Sequence, residues 1–224
     1  MTIPRTPEPE LMDAPEQARA YAEADFSAPN QLFSETVARQ LTGRHSGTLI
    51  DLGCGPGDIC IRLAHLLPGW QIVGLDAGPN MLTLASAAVE SQGLAERIEL
   101  IQAHLPDELP AGHFDAIVSN SVLHHLPDPS SLWQAITLLA QPGCEVMVMD
   151  LHRPESLAAA QAIVDEHASD APAVLREDFY NSLLAAWTEA EIRQQLEKHG
   201  LSHLQFSRPS DRHWMVQGQI RGHT

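Results

Sequence analysis

Cysteine, positive charge and long apolar runs are all scarce in this chain of 224 residues. The three cysteines, Cys54, Cys60 and Cys144, are odd in number and form no Cys-x-x-Cys pair. Neither a disulfide framework nor a thiolate zinc site is indicated, and a reducing compartment is the plain reading. Lys and Arg number 13 against 29 Asp and Glu, a formal charge of −16. Grip on a nucleic-acid backbone rests on cations, and so does adsorption to an anionic membrane surface, so both partners are disfavoured. No segment approaches the roughly 18 apolar residues of a membrane span. The first thirty residues hold acids and prolines but no apolar core of a signal peptide. The expectation is a soluble, cytoplasmic protein. The twelve histidines form no recognisable ligand set, and no metal is expected.

What the chain does have is a repeated alternation of strand and helix. Residues 1–12 read as a loose arm, and residues 13–42 as a helical cap that Pro29 divides in two, since proline lacks the amide proton of a helix interior. Strands are expected at 48–52, 71–75, 98–101, 114–119 and 145–150. Helices fall at 58–67, 81–89 and from Asp128-Pro129 to Ala140, where the acid suits the N-cap and the proline the first turn. Pro142-Gly143 is expected to turn the chain into the fifth strand. Strand–helix repetition means a parallel sheet covered on both faces. Residues 151–187 break the rhythm with two helical patterns and no strand, an insertion over one end of the sheet. Thr188-Glu189-Ala190-Glu191 is a capping box that starts a helix to His199. Strands at 201–206 and 213–219, joined by a short connection, complete the chain as an antiparallel pair. No boundary is clean enough to divide residues 1–224 into two domains.

The chemistry concentrates in Leu49-Ile50-Asp51-Leu52-Gly53-Cys54-Gly55-Pro56-Gly57-Asp58. A buried strand breaks there into a glycine turn and opens a helix, and the next strand, Ile72-Val73-Gly74-Leu75, ends in Asp76. Glycines allow close backbone approach, a helix N-terminus presents free amide donors, and an acid on the second strand suits ribose hydroxyls. The spacing is G-x-G-x-G, with Asp58 where a dinucleotide fingerprint would place its last glycine. Asp51, two residues before the first glycine, suits a cationic amino-acid tail better than a pyrophosphate. A dehydrogenase is thereby disfavoured, and the reading moves to S-adenosylmethionine.

Asp51-Leu52-Gly53-Cys54-Gly55-Pro56-Gly57 resembles the first motif of class I S-adenosylmethionine-dependent methyltransferases of the small-molecule branch. Asp76 and Met81 are similar to the acid and apolar residue that follow that motif, and Phe114–Asn120 through Leu123-His124-His125-Leu126 resembles the fourth motif. The resemblance covers residues 48–150. It implies an α/β, Rossmann-like seven-stranded sheet of order 3-2-1-4-5-7-6, strand 7 antiparallel, with helices on both faces. The cofactor would lie across the C-terminal ends of strands 1 and 2. Asp51 and Gly53 would sit near the methionine moiety, with Cys54 and Gly55 beside them. Asp76 would bind the ribose, with Ala77 next to it, and Met81 would pack near the adenine. Asn120 and Ala103 would complete the wall. His104 stands where relatives often carry an acid facing the adenine amino group, a departure that leaves its own nitrogen or a backbone neighbour to take that contact.

The implied function is methyl transfer to an oxygen, nitrogen, carbon or sulfur of a small molecule. The alternative is a non-catalytic protein of the same fold that only binds the cofactor. Methylation of a flipped base is disfavoured, because Asn120 is followed by Ser121-Val122-Leu123 and not by paired prolines and an aromatic. His125, His152 and His213 are the candidate bases, although the His-His-Leu-Pro run also reads as structural or cofactor-lining. The family order sets Asp211-Arg212-His213 beside His152-Arg153. That cluster is either a salt-bridge knot fixing the hairpin or a polar end to the substrate site, Arg153 and Arg212 suiting a carboxylate. Tyr21 in the cap and Arg176 and Tyr180 in the insertion are further substrate candidates. The oligomeric state, monomer or homodimer, stays open.

Overall fold

The computed structural model describes residues 3–8 and 13–222. At its centre β1 (Gly47–Leu52), β2 (Trp70–Asp76), β3 (Ile98–Gln102), β4 (Phe114–Asn120) and β5 (Ala140–Leu151) run parallel. β6 (Gln205–Ser207) and β7 (His213–Gln219) close the sheet, in the order β3-β2-β1-β4-β5-β7-β6. β7 is antiparallel to both its neighbours, as expected. Successive side chains of β1 enter opposite cores. Leu49 packs with Phe33, Leu63 and Trp70, while Ile50 and Leu52 pack with Trp133, Ile136 and Trp214. A strand covered on both faces needs this near-continuous apolar run.

Helices α1 (Pro15–Glu23), α2 (Ser27–Gln40), α3 (Asp58–Leu66), α4 (Pro79–Ser91) and α5 (Ser130–Leu139) precede β5. α6 (Leu157–His167), α7 (Ala173–Ala185) and α8 (Glu189–Lys198) follow it. The capping box at α8 forms as read: Thr188 accepts the Glu191 N–H, and the Glu191 carboxylate accepts the Thr188 N–H. α6 and α7, the expected insertion, share a small core of Leu151, Ala160, Val164, Leu183 and Ala186. Among the described residues no helix is long and apolar enough to cross a membrane.

Four local expectations give way. Pro29 does not divide the cap; the break falls at 24–26, and Pro29 sits in the first turn of α2. A missing amide proton costs nothing there. Pro142-Gly143 makes no turn before β5 but lies inside it, where the β4–β5 register shifts between Phe114 and Ala116. The irregularity absorbs the proline, and Gly143, at a φ of 86°, still donates to the Ile220 carbonyl at 2.8 Å. α5 begins at Ser130, with the Asp128 carboxylate accepting the Ser130 N–H from just outside. The sixth strand shrinks to Gln205–Ser207.

The N-terminal arm departs furthest. Its described part is docked: Thr6 N donates to Leu184 O at 3.0 Å, and Arg5 Nε to Ala185 O at 2.6 Å. The Arg5 guanidinium lies 4.1 Å above the Trp187 ring and donates to the His124 carbonyl at 2.9 Å. The rest of the expected loose arm, residues 1–2 and 9–12, lies outside the described residues.

Candidate functional site

The C-terminal ends of β1, β2, β4 and β5 deliver Asp51, Asp76, Asn120 and Asp150 to one edge of the sheet. After β1 the backbone doubles back, Gly53 N and Cys54 N both donating to Leu75 O at 2.7 and 3.0 Å. Gly53 has a φ of 80°, and a Cβ there would overlap the Val122 side chain, so the turn admits glycine alone. Gly55 has a φ of 51°, but a Cβ there would meet nothing within 4 Å. What glycine preserves at Gly55 is open space beside the backbone.

That space belongs to a cavity of about 280 Å³. Each cofactor candidate lines it: Asp51, Gly53, Cys54 and Gly55 from the β1 turn, Asp76, Ala77 and Met81 from β2 and α4, Ala103 and His104 after β3, and Asn120 from β4. Asp51 is 1% exposed; Cys60 Sγ donates to its Oδ2 at 3.5 Å, and its buried Oδ1 has no hydrogen-bond partner among the described residues. Burial raises this carboxyl to about 7, the Cys60 hydrogen bond opposing and the Asp76 charge adding. A buried acceptor without a partner is costly, and an ammonium group is the donor that would satisfy it. Asp76 accepts Gly55 N through Oδ2 and Gly78 N through Oδ1, each at 2.8 Å. A carboxylate has about four lone-pair sites, so two acceptor sites remain for hydroxyl groups. Burial raises Asp76 as well, against these two amide bonds. At the far end the His104 ring is engaged with Glu108, Nδ1 lying 3.2 Å from Oε2.

Residues that no motif marked complete this wall. Asp13, from the cap, accepts Asn80 N at 2.9 Å and Met81 N at 3.1 Å, capping α4 where the Gly78-Pro79 start supplies no side chain. Asn30 donates to the Asp58 carboxylate at 2.8 Å. Ser121 holds a φ of 59°, unusual for a residue with a side chain, immediately after β4. Sequence signals for these are absent, apart from the Asn-Ser step that ends β4.

A second cavity, of about 630 Å³, adjoins the first; Tyr21, Phe26, Asn30, Asn120, Ser121 and His125 line both. Tyr21 and Phe26 stand with ring centroids 4.7 Å apart. Burial, with the Asp150, Asp76 and Asp58 charges, pushes the Tyr21 hydroxyl up to about 12, so it stays protonated. Arg212 and His213 line this second cavity. Burial and the adjacent Arg212 lower His213 to about 4, leaving a neutral ring whose Nδ1 lies 2.8 Å from Ser210 Oγ.

The expected juxtaposition of β7 with the end of β5 is present: Leu151 pairs with His213, and His152 N donates to Arg212 O at 2.7 Å. The side chains divide nonetheless. Arg153 pairs with Glu191 at 2.7 Å and donates to the Ala186 carbonyl at 3.2 Å. Arg212 pairs with Asp211 at 3.0 Å. The backbone of His152 forms an isolated parallel bridge with that of Trp187. Arg176 pairs with Asp165, and Tyr180 packs on the α6–α7 core. His152, Arg153, Arg176 and Tyr180 line neither cavity.

Between the cavities and the arm lies a buried polar group. His124 Nδ1 is 2.5 Å from Asp150 Oδ1, with the two side chains 3% and 1% exposed. Burial alone would lower His124, but the Asp150 carboxylate outweighs it and holds the ring above its ordinary value. Burial would raise Asp150, and His124 with the Leu151 N–H holds it down instead. Glu8 Oε1 stands 3.6 Å from His124 Nε2 and 3.2 Å from His125 Nδ1. Burial, then the neighbouring His124, pushes His125 well below the ordinary histidine value.

Residues 44–206 match the family described as "Methyltransferase domain". The ubiquinone biosynthesis O-methyltransferase of Pseudoalteromonas translucida is 30% identical over 125 residues, 55% of this chain and 52% of that protein. The trans-aconitate 2-methyltransferase of an Azoarcus species is 34% identical over 111 residues, 48% of this chain and 42% of that protein. The chain thus spans about half the length of these relatives or less. Among solved structures, a putative S-adenosyl-L-methionine-dependent methyltransferase from Methanococcus maripaludis superposes with a TM-score of 0.69 at 18% identity, covering 98% of each chain. That likeness is one of fold.

Proposed function

Because the chain belongs to the methyltransferase domain family, of the class I S-adenosylmethionine-dependent kind, we propose that it moves a methyl group from this cofactor to a small-molecule acceptor. The observation that carries the reading is the buried, partnerless Asp51 Oδ1 sharing one cavity with the Gly53–Gly55 turn and Asp76. When bound, the cofactor supplies an electrophilic methyl on a sulfonium. Asp51 holds the ammonium of its amino-acid tail, Gly55 leaves room for that tail, and Asp76 takes the ribose hydroxyls. Met81 and Ala103 flank the adenine, and backbone groups near His104 serve its amino edge, since the His104 ring is already engaged by Glu108.

The second cavity would take the acceptor, and Tyr21, Asn120 and His125, which border both spaces, would line its junction with the cofactor cavity. Alignment and exclusion of water supply most of what a methyl transfer needs. Tyr21, held protonated, donates a hydrogen bond and caps the junction. His213 and His125 are neutral and too weakly basic to take a proton from an ammonium. An acceptor that ionises readily, such as a phenol or a carboxylic acid, asks least of these two rings. One relative is an O-methyltransferase of ubiquinone biosynthesis and another a methyltransferase of trans-aconitate, a carboxylic acid, which supports the same choice. A cytoplasmic setting suits the three buried free thiols.

The experiment is turnover of methyl-labelled S-adenosylmethionine against panels of phenols, carboxylic acids and amines. Label in an oxygen-linked product, lost in Asp76→Ala, is the expected outcome. Cofactor binding without transfer to any panel member would favour the non-catalytic alternative, and label in amines alone would overturn the acceptor class.

A further inference from the structure

Of Glu8, His124 and His125 only His125 borders the cofactor cavity, and the atoms of all three are arranged as ligands. Glu8 Oε1 and His125 Nδ1 are both buried and have no hydrogen-bond partner among the described residues. With His124 Nε2 they lie within 4.8 Å of one another. The separations of 3.2 Å from Glu8 Oε1 to His125 Nδ1 and 3.6 Å from Glu8 Oε1 to His124 Nε2 bracket the edge of a coordination tetrahedron. For bonds of 2.0–2.1 Å that edge is about 3.3 Å.

The surroundings are those of a metal ligand set. Asp150 engages His124 Nδ1 at 2.5 Å, which leaves Nε2 as the free lone pair. A carboxylate behind a histidine in this way fixes its tautomer and raises its strength as a ligand. Glu8 is held by Ser182 Oγ, which donates to its other oxygen at 3.2 Å, and the arm that carries it is anchored by Arg5 and Thr6. His124 and His125 both line the second cavity, so an ion between them would keep open positions toward that space.

We propose that Glu8, His124 and His125 form a binding site for a divalent transition-metal ion of the zinc type, oriented by Asp150 and open to the acceptor cavity. Two imidazoles and one carboxylate suit zinc or its borderline neighbours better than magnesium or calcium, which prefer oxygen donors. The binding claim stands on the ligand geometry. The ion's role, holding an acceptor oxygen and easing its ionisation, rests on the methyl-transfer reading above.

The test uses the full chain stripped with a chelator, titrated with zinc by calorimetry and with cobalt by visible absorption. One zinc per chain is expected, with cobalt giving the intense visible bands of a four- or five-coordinate nitrogen–oxygen site. Glu8→Gln and His125→Ala should each weaken zinc binding by about 100-fold or more, and Asp150→Asn by about 10–100-fold. His167→Ala should leave it unchanged; His167 belongs to the exposed Glu166–His167–Asp211 group and already pairs with Asp211 at 2.7 Å. Wild-type protein that binds no zinc at micromolar concentration would overturn the site, the cluster then holding only a shared proton. So would zinc binding that survives Glu8→Gln and His125→Ala or is lost in His167→Ala. Calorimetry with S-adenosylmethionine on the same stripped protein reports the cofactor site separately, so failure here leaves that reading standing.

Discussion

Asp150, near the end of β5, and His124, in the loop after β4, lie 2.5 Å apart with almost no exposure to solvent. Asp150 also accepts the backbone N–H groups of His124 and Leu151, at 3.2 and 2.6 Å. One carboxylate thus ties together the loop and strand that frame the second cavity. Removing either partner leaves a buried polar group uncompensated. Asp150→Ala is expected to cost about 3–5 kcal/mol in urea unfolding of metal-free protein. The double variant Asp150→Ala/His124→Ala should lose less than the sum of the singles. Strict additivity would show that the two groups do not act as a pair.

Arg153 reads from sequence as a substrate ligand, but its 4% exposure and its bonds to Glu191 and Ala186 make it a brace between β5 and α8. Arg153→Ala is therefore expected to lower stability by roughly 2–4 kcal/mol, by the loss of a largely buried ion pair. Its KM for the acceptor should stay within about twofold. A large KM rise at unchanged stability would return Arg153 to the substrate site.

The raised Asp51 carboxyl sets a pH signature. In an unfolded chain it ionises near its ordinary 3.8, and in the folded protein near 7. Between those values the unfolded state gains an ionisation that the folded state resists, so this group's effect is to erode stability as pH rises from about 4 to about 7. A bound ammonium favours the ionised form, so affinity for S-adenosylmethionine should rise with pH up to about 7 and then level off. Asp51→Asn is expected to bind the cofactor more weakly and to remove the Asp51 part of both slopes. The checks are calorimetric titrations and urea unfolding at pH 5, 6, 7 and 8. A variant with the wild-type slopes would contradict the assignment.

Tyr21 borders both cavities, whereas Arg176 sits in an exposed pair with Asp165. Tyr21→Ala should reduce turnover by about 10–100-fold through lost alignment. Arg176→Ala should change neither turnover nor stability beyond about 0.5 kcal/mol, as for exposed ion pairs generally. Steady-state kinetics and thermal melts on the two variants separate these outcomes.

The contrast between well-read and missed residues follows from the range over which each signal acts. The β1 turn, Asp76 and the α8 capping box are local patterns, in which neighbouring residues state the geometry, and the structure places them as read. The register of β7 on β5 followed from topology, yet topology does not say where side chains go. Arg153, expected at the substrate site beside Arg212, instead spends its side chain on Glu191 and the Ala186 carbonyl. Pro142-Gly143 carries turn chemistry that strand pairing overrides through a register shift. Glu8 and Asp13 act on residues more than sixty positions away, His124 and Asn80, and nothing in their own sequence neighbourhood announces it.

Isothermal titration of S-adenosylmethionine into wild-type protein and Asp76→Ala, at pH 7.5, decides whether the first cavity binds this cofactor through Asp76. Wild-type protein should bind one cofactor per chain, and the variant should lose about tenfold or more in affinity, the 1.4 kcal/mol or greater expected for hydrogen bonds to a charged group. No binding by the wild type, or equal affinity in the variant, would mean that Asp76 does not hold the cofactor in this cavity.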